Sequence, residues 1–121
     1  MYIFAAQKNH TMRTEIENLP EIQGLIKNEM ALMVYFYNDD CPPCLSLRPK
    51  VESMVENDYP EMKLVFVNSK GHPKIPANFN IFSNPTLLVY FDGKESKRFS
   101  KYISISELSQ SIGRYYNMIF S

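Results

Sequence analysis

The chain has 121 residues, and its 13 basic and 13 acidic side chains cancel to a formal net charge of zero. This balance gives no global field that would attract nucleic acid or an anionic membrane surface. The length fits one domain, and a hydrophobic content of 45% is enough for a core. No stretch approaches the roughly 18 consecutive apolar residues of a membrane-spanning helix. The composition therefore favours a single globular domain with no nucleic-acid or membrane partner.

Residues 1–12 are predicted to be an N-terminal extension, followed by one domain over residues 13–121. The apolar piece at residues 2–6 has no basic residue ahead of it and is too short for a secretory signal. Two cysteines also do not make the disulfide framework of a small secreted protein. We therefore expect a cytoplasmic protein, and we expect it to be a monomer.

The first third of the domain carries signals for a short edge strand, a helix and a buried strand. The edge strand is predicted within residues 13–17. Asn18 is a predicted helix N-cap with Glu21 as its capping-box partner. Apolar residues then recur on one helical face, at Leu19, Ile22, Leu25 and Ile26. The near-continuous apolar run Ala31–Tyr37 is typical of a strand covered on both faces.

A helix is predicted after the cysteines, over residues 45–56. Its apolar residues share one side, at Leu47, Val51, Met54 and Val55. Pro49 lies inside this helix and should kink it, because proline lacks an N–H and its ring clashes with the preceding turn.

The second half of the domain alternates between strand and helix signals. Strands are predicted at Lys63–Asn68, at Thr86–Phe91 and at residues 95–99. Residues 73–80 form a short, proline-broken helix or an irregular stretch, and Asp92-Gly93-Lys94 is a hairpin turn. Ser104 and Glu107 make a capping box before a terminal helix. This order predicts an α/β fold, in which helices flank both faces of a central mixed β-sheet with a parallel centre and an antiparallel edge.

Cys41 and Cys44 are the only cysteines of the chain, and they lie between the buried strand and the following helix. A thiolate at a helix start is stabilised by unpaired N–H groups and by the helix dipole, and the thiolate is the reactive form of cysteine. If Cys41 is the N-cap, its sulfur can accept from the Cys44 N–H, and the helix begins at Pro42 or Pro43. A C-x-x-C pair beside a βαβ pattern predicts a redox dithiol.

Two other interpretations of the cysteine pair remain open. One is a buried, inert dithiol in a domain without redox activity. The other is half of a zinc site, but zinc takes four ligands and the remaining candidates, His10 and His72, are distant in sequence. We therefore predict no metal site.

Four features, in this order, resemble the thioredoxin-fold family over about residues 13–120. They are Cys41-Pro42-Pro43-Cys44 after a strand, Pro49 in the next helix, Asn84-Pro85-Thr86 before an apolar strand, and Asp92-Gly93-Lys94 at a hairpin. The resemblance implies exchange of a dithiol and a disulfide with protein substrates, in the direction of substrate reduction. It implies that Cys41 attacks and Cys44 resolves. No cofactor is expected, since electrons come from a partner reductase or a small thiol.

The resemblance also implies a substrate surface beside the thiols. Its expected members are Pro42, Pro43, Asn84 and Pro85. Pro85 is expected to follow a cis peptide bond that exposes the Asn84 backbone, so that a substrate peptide can pair there as an added strand. The competing hypothesis is an interaction module on the same fold, whose disulfide serves only stability or regulation. A further alternative within redox chemistry is an oxidant or isomerase in an extracytoplasmic space.

Three positions depart from the family pattern. Tyr35 falls where the family has a buried acid, Asp40 falls where it has a tryptophan, and Ser100 falls where it has a glycine. A carboxylate next to Cys41 should disfavour its thiolate, so Asp40 is expected to raise the pKa of Cys41. The alternative is that Asp39 and Asp40 are simply solvated turn residues.

Overall fold

The computed structural model describes residues 14–120. Its elements are, in chain order, β1 (Thr14–Glu15), α1 (Leu19–Asn28), β2 (Ala31–Tyr37), α2 (Pro42–Asp58), β3 (Lys63–Asn68), α3 (Lys74–Asn78), β4 (Thr86–Phe91), β5 (Lys94–Ser100) and α4 (Ile105–Phe120). The predicted order of strands and helices is confirmed. The predicted extension over residues 1–12 lies outside the described residues, as does Arg13 at the start of the predicted edge strand.

The strands form one mixed sheet in the order β1-β3-β2-β4-β5. The central strand β2 is parallel to β3 and antiparallel to β4. The outer strand β1 is parallel to β3, whereas β5 is antiparallel to β4. The predicted combination of a parallel part with an antiparallel edge is confirmed, and β4 belongs to the antiparallel part together with β5.

Apolar side chains cover both faces of the sheet. The strand β2 is buried along its whole length, as its unbroken apolar sequence predicts. Met33 and Tyr35 point to the face that packs against α2 and α4. Val34 and Phe36 point to the opposite face, which packs against α1 and α3. The expected arrangement, with helices on both faces of the sheet, is confirmed.

The helix starts follow local capping signals. The side chain of Asn18 accepts a hydrogen bond from the Glu21 N–H at 2.9 Å, and Ser104 Oγ accepts from the Glu107 N–H at 3.3 Å. The Glu21 carboxylate returns to the N–H of Glu17, one residue before the N-cap, at 3.4 Å. The helix α2 continues on both sides of Pro49, so the proline does not end it, and the kink stays a prediction.

The β4–β5 hairpin is closed by Asp92 and Gly93, whose φ angles are 54° and 80°. Two successive positive φ values define the type I′ turn, which matches the twist of a hairpin and favours Asp-Gly. The predicted turn is confirmed, and β5 begins at Lys94, one residue earlier than predicted.

Several chain segments meet at one end of the sheet, where β2 and β5 end and β4 begins. Phe36, near the end of β2, pairs with Thr86 at the start of β4, and Thr86 also pairs with Ser100 at the end of β5. The loops at this end of the sheet therefore carry Cys41 and Pro85. The pairing of these strands thus places the cysteines at the same end of the sheet as the predicted cis-proline loop.

Candidate active site

Cys41 and Cys44 are joined by a disulfide bond, with their Cα atoms 5.3 Å apart. Cys41 is the N-cap of α2, and the helix begins at Pro42, as the sequence predicts. The Cys44 N–H donates to Cys41 Sγ at 3.2 Å and to the Cys41 carbonyl oxygen at 3.0 Å. After reduction, an N–H at this position would stabilise negative charge on the Cys41 sulfur.

The two cysteines differ in accessibility. Both side chains border the hydrophobic core, but Cys41 is 8% exposed and Cys44 only 2%. Pro42 and Pro43 lie between them on the exposed side of the first helical turn. A second thiol or disulfide approaching from solvent therefore has better access to Cys41 than to Cys44.

The loop before β4 is fixed to the strand that leads to the cysteines. The Asn84–Pro85 peptide bond is cis, as predicted. Ser69, which follows β3, donates from Oγ to Asn84 Oδ1 at 3.1 Å, and its N–H donates to the Tyr37 carbonyl oxygen at 2.7 Å. Ser69 therefore links the end of β2 to the cis-proline loop through two hydrogen bonds.

Tyr35, at the position of the family's buried acid, is fully buried. Its hydroxyl donates to the Cys44 carbonyl oxygen at 2.6 Å. Burial raises the pKa of Tyr35 to about 12; the Arg48 guanidinium opposes this rise, and the Glu52 carboxylate adds to it. At neutral pH the hydroxyl is therefore protonated, and it acts as a hydrogen-bond donor to the first turn of α2 rather than as a proton acceptor.

Sequence reasoning assigned no role to Arg48, which follows Cys44 by one helical turn. Its side chain is 13% exposed, and its guanidinium carbon lies 4.3 Å from the ring centroid of Tyr37 and 4.5 Å from that of Phe66. A Glu15 carboxylate oxygen lies 3.7 Å from its Nη2 atom. The available signal was its spacing, since an arginine four residues after Cys44 shares the inward side of the helix.

Asp40 is paired with Lys70, in the loop after β3. Asp40 Oδ2 lies 2.7 Å from Lys70 Nζ, and the two side chains are 73% and 72% exposed. The hydrogen bond and the charge of Lys70 lower the pKa of Asp40, and Asp40 in turn raises the pKa of Lys70. The carboxylate is thus ionised at neutral pH, but a cation beside it offsets much of its field.

The described part of the chain carries neither a candidate metal centre nor a membrane-spanning helix. Among residues 14–120, no group of three or more His, Cys, Asp or Glu side chains could hold a metal ion. His10 lies outside this range. Over the same residues, no helix is both long enough and apolar enough to cross a membrane.

Comparison with known proteins identifies the family. The model of the thioredoxin family matches residues 21–114. The chain belongs to the thioredoxin family. It is 31% identical over 87 residues to the thioredoxin of Mycoplasma genitalium, covering 72% of this chain and 84% of that protein. It is 26% identical over 105 residues to the thioredoxin-like protein YdfQ of Bacillus subtilis, covering 87% and 93%.

The likeness extends to solved structures. The oxidised mitochondrial thioredoxin 3 of Saccharomyces cerevisiae is similar with a TM-score of 0.78 at 25% identity, covering 88% of this chain and 98% of that one. The thioredoxin-like fold predicted from the sequence is confirmed. A thioredoxin-family chain with a Cys41–Cys44 disulfide supports thiol–disulfide oxidoreductase chemistry in general terms. Members of the thioredoxin family act on disulfide substrates together with reductase partners.

Proposed function

We propose that this protein reduces disulfides of protein substrates through Cys41 and Cys44. The carrying observation is the disulfide at the start of α2, with the Cys44 N–H directed at Cys41 Sγ. Electrons are supplied by a reductase or a small thiol, and the scarcity of cysteines supports a reducing compartment, the cytoplasm.

The proposed exchange has two steps. The Cys41 thiolate attacks one sulfur of the substrate disulfide; that S–S bond breaks, and the released substrate sulfur takes up a proton. The Cys44 thiol then loses its proton and attacks Cys41 Sγ in the mixed disulfide, which releases the second substrate sulfur as a thiol. Two electrons pass from the dithiol to the substrate, and the Cys41–Cys44 disulfide remains.

The substrate surface is proposed to comprise Pro42, Pro43 and the loop at Asn84 and Pro85. The exposure of the two prolines beside Cys41 supports this assignment. The Ser69 hydrogen bonds support it too, because they link the Asn84 loop to the end of β2, the strand that precedes Cys41. A substrate peptide in extended conformation would pair its backbone with Asn84 while its disulfide reaches Cys41.

Turnover of insulin tests the proposed function. With dithiothreitol as electron donor, the wild-type protein should reduce insulin well above the rate of dithiothreitol alone, as followed by the turbidity of the released B chain. Cys41→Ser, with folding checked by circular dichroism, should give no acceleration. An interaction module whose disulfide is only structural or regulatory would bind partners without accelerating the reaction, and that result would refute the proposal.

Asp40 is proposed to disfavour the Cys41 thiolate, with Lys70 opposing it. Asp40→Asn should speed alkylation of Cys41 at neutral pH by roughly two- to fivefold at low salt, because the variant loses an anion and leaves the Lys70 ammonium unpaired. Lys70→Gln should slow the reaction, and the double variant should return close to wild type. The rates are measured with iodoacetamide on a Cys44→Ser background, so that a single thiol reacts.

Salt provides the control for this prediction. The Debye length falls from about 10 Å at 0.1 M salt to about 3 Å at 1 M. The difference between Asp40→Asn and its parent should therefore shrink at high salt. An equal rate for both proteins at low salt would make Asp40 a solvated turn residue.

A further inference from the structure

We propose that Arg48 is a positioning residue that raises the reduction potential of the Cys41–Cys44 couple, by placing a largely buried positive charge on the side of α2 that carries Cys44. The family pattern has a buried acid in this part of the core, whereas this chain has Tyr35 at that position. The inference rests on the proposed thiol–disulfide exchange and names a charge that regulates it.

The surroundings of Arg48 do not suit a residue that serves packing alone. Its guanidinium carbon is enclosed by aromatic rings, with Tyr35 at 5.9 Å in addition to the closer Tyr37 and Phe66. Its Nη2 atom is buried and has no hydrogen-bond partner among residues 14–120. A planar, weakly hydrated guanidinium tolerates such stacking. Burying an incompletely paired charge still costs free energy, and an apolar side chain would avoid that cost.

Two features bring this charge to the resolving cysteine. Arg48 lies four residues after Cys44 on α2, and long helical side chains lean toward the N-terminus, over the preceding turn. Tyr35 makes the second connection, because its ring faces Arg48 and its hydroxyl binds the Cys44 carbonyl oxygen. Arg48 and Cys44 therefore lie on the same side of α2, and Tyr35 contacts both of them.

The other charged and titratable groups around Arg48 lie on β1, β2 and α2. Glu15 on β1 approaches the guanidinium and also accepts from the Tyr37 hydroxyl at 2.8 Å. Glu52 on α2 acts on Tyr35. Burial first, and Glu15 second, raise the pKa of Tyr37, so both tyrosines are neutral at neutral pH. Because Glu15 is 38% exposed and Arg48 is 13% exposed, water screens the carboxylate more than the cation.

A cation at this place acts differently on the two redox states. The disulfide carries no charge, whereas reduction adds two electrons and places negative charge on sulfur when a thiolate forms. A nearby cation stabilises the thiolate and leaves the disulfide unaffected. Arg48 thus favours the reduced form, and a neutral residue in its place would favour the disulfide.

Redox equilibration with glutathione tests this inference. Arg48→Met keeps an unbranched apolar side chain but removes the charge, and its equilibrium should shift about three- to tenfold toward the disulfide; tenfold corresponds to about 30 mV for a two-electron couple. Arg48→Lys keeps the positive charge, so its equilibrium should stay close to that of the wild type. Glu15→Gln should shift the equilibrium the opposite way. Lys50→Met, which removes an exposed positive charge from the same helix, is the matched control and should leave the potential unchanged.

The outcomes separate charge from packing. Equal potentials for wild type and folded Arg48→Met overturn the inference, as does an Arg48→Lys variant that behaves like Arg48→Met. If Arg48→Met does not fold, an unchanged potential in Glu15→Gln overturns it instead. The glutathione equilibrium needs no protein substrate, so a wild type that failed to reduce insulin would refute the proposed function without deciding the role of Arg48.

Discussion

Cys44→Ser should accumulate covalent complexes with substrate proteins, and Cys41→Ser should accumulate none. In the first variant the more accessible Cys41 can still attack, but no second thiol is present to release the mixed disulfide. In the second variant the remaining Cys44 is only 2% exposed, so it reacts poorly with a protein disulfide. The expected difference is close to all-or-none, because resolution has no other internal route.

Each variant is incubated with a cell extract or with oxidised insulin, and unreacted thiols are then alkylated. Non-reducing electrophoresis followed by mass spectrometry of the cross-linked peptides identifies the bonded cysteine. The double variant Cys41→Ser/Cys44→Ser measures background. Complexes formed through Cys44 in Cys41→Ser, with none in Cys44→Ser, would reverse the assigned roles.

The free energy of unfolding should fall steeply between about pH 10 and pH 12, because two tyrosines then ionise in the unfolded chain but stay protonated in the folded protein. Burial raises the pKa of Tyr35 and of Tyr90 from 10.0 to about 12. In the unfolded chain these hydroxyls lose their protons near their ordinary pKa, while the folded state keeps them until the raised value. The stabilisation is therefore fully present below pH 10 and is lost as the pH rises through 12.

The size of the effect follows from the shift. Two pKa units correspond to about 2.7 kcal/mol for each tyrosine at 1.36 kcal/mol per unit. Urea unfolding at a series of pH values measures the loss. Tyr35→Phe and Tyr90→Phe should each flatten the alkaline decline, and lysine titration cancels in the comparison with wild type. Parallel alkaline profiles for wild type and both variants would contradict the prediction.

Most secondary structure could be predicted because its signals are local. The unbroken apolar run of β2, the Asn18 cap and the Asp92-Gly93 turn each act within a few residues. The cysteine site was also accessible, since the N-cap geometry of Cys41 depends on its own helix. The cis bond at Pro85 was inferred from the family resemblance, because local sequence by itself favours a trans bond before proline.

The rest of the site depends on contacts between distant parts of the chain. The hydrogen bond between Lys70 and Asp40 joins residues 30 positions apart. Arg48 gains its environment from Glu15, Tyr37 and Phe66, which belong to three different strands. No periodicity or capping pattern predicts such long-range contacts, because they form only when the strand order β1-β3-β2 brings those strands together.

The strand order has a consequence for self-association. Over residues 14–120 the sheet ends on β1, which is two residues long, and on β5, which carries exposed Lys94 and Lys97 and an ion pair between Arg98 and Glu95. A very short strand gives little template for another chain, and cationic side chains along an edge oppose the addition of a second sheet. If the protein reduces partly unfolded substrates, as we propose, these two edge strands limit its aggregation with them. The same feature favours backbone pairing with a substrate at the loop of Asn84, where we propose that it occurs.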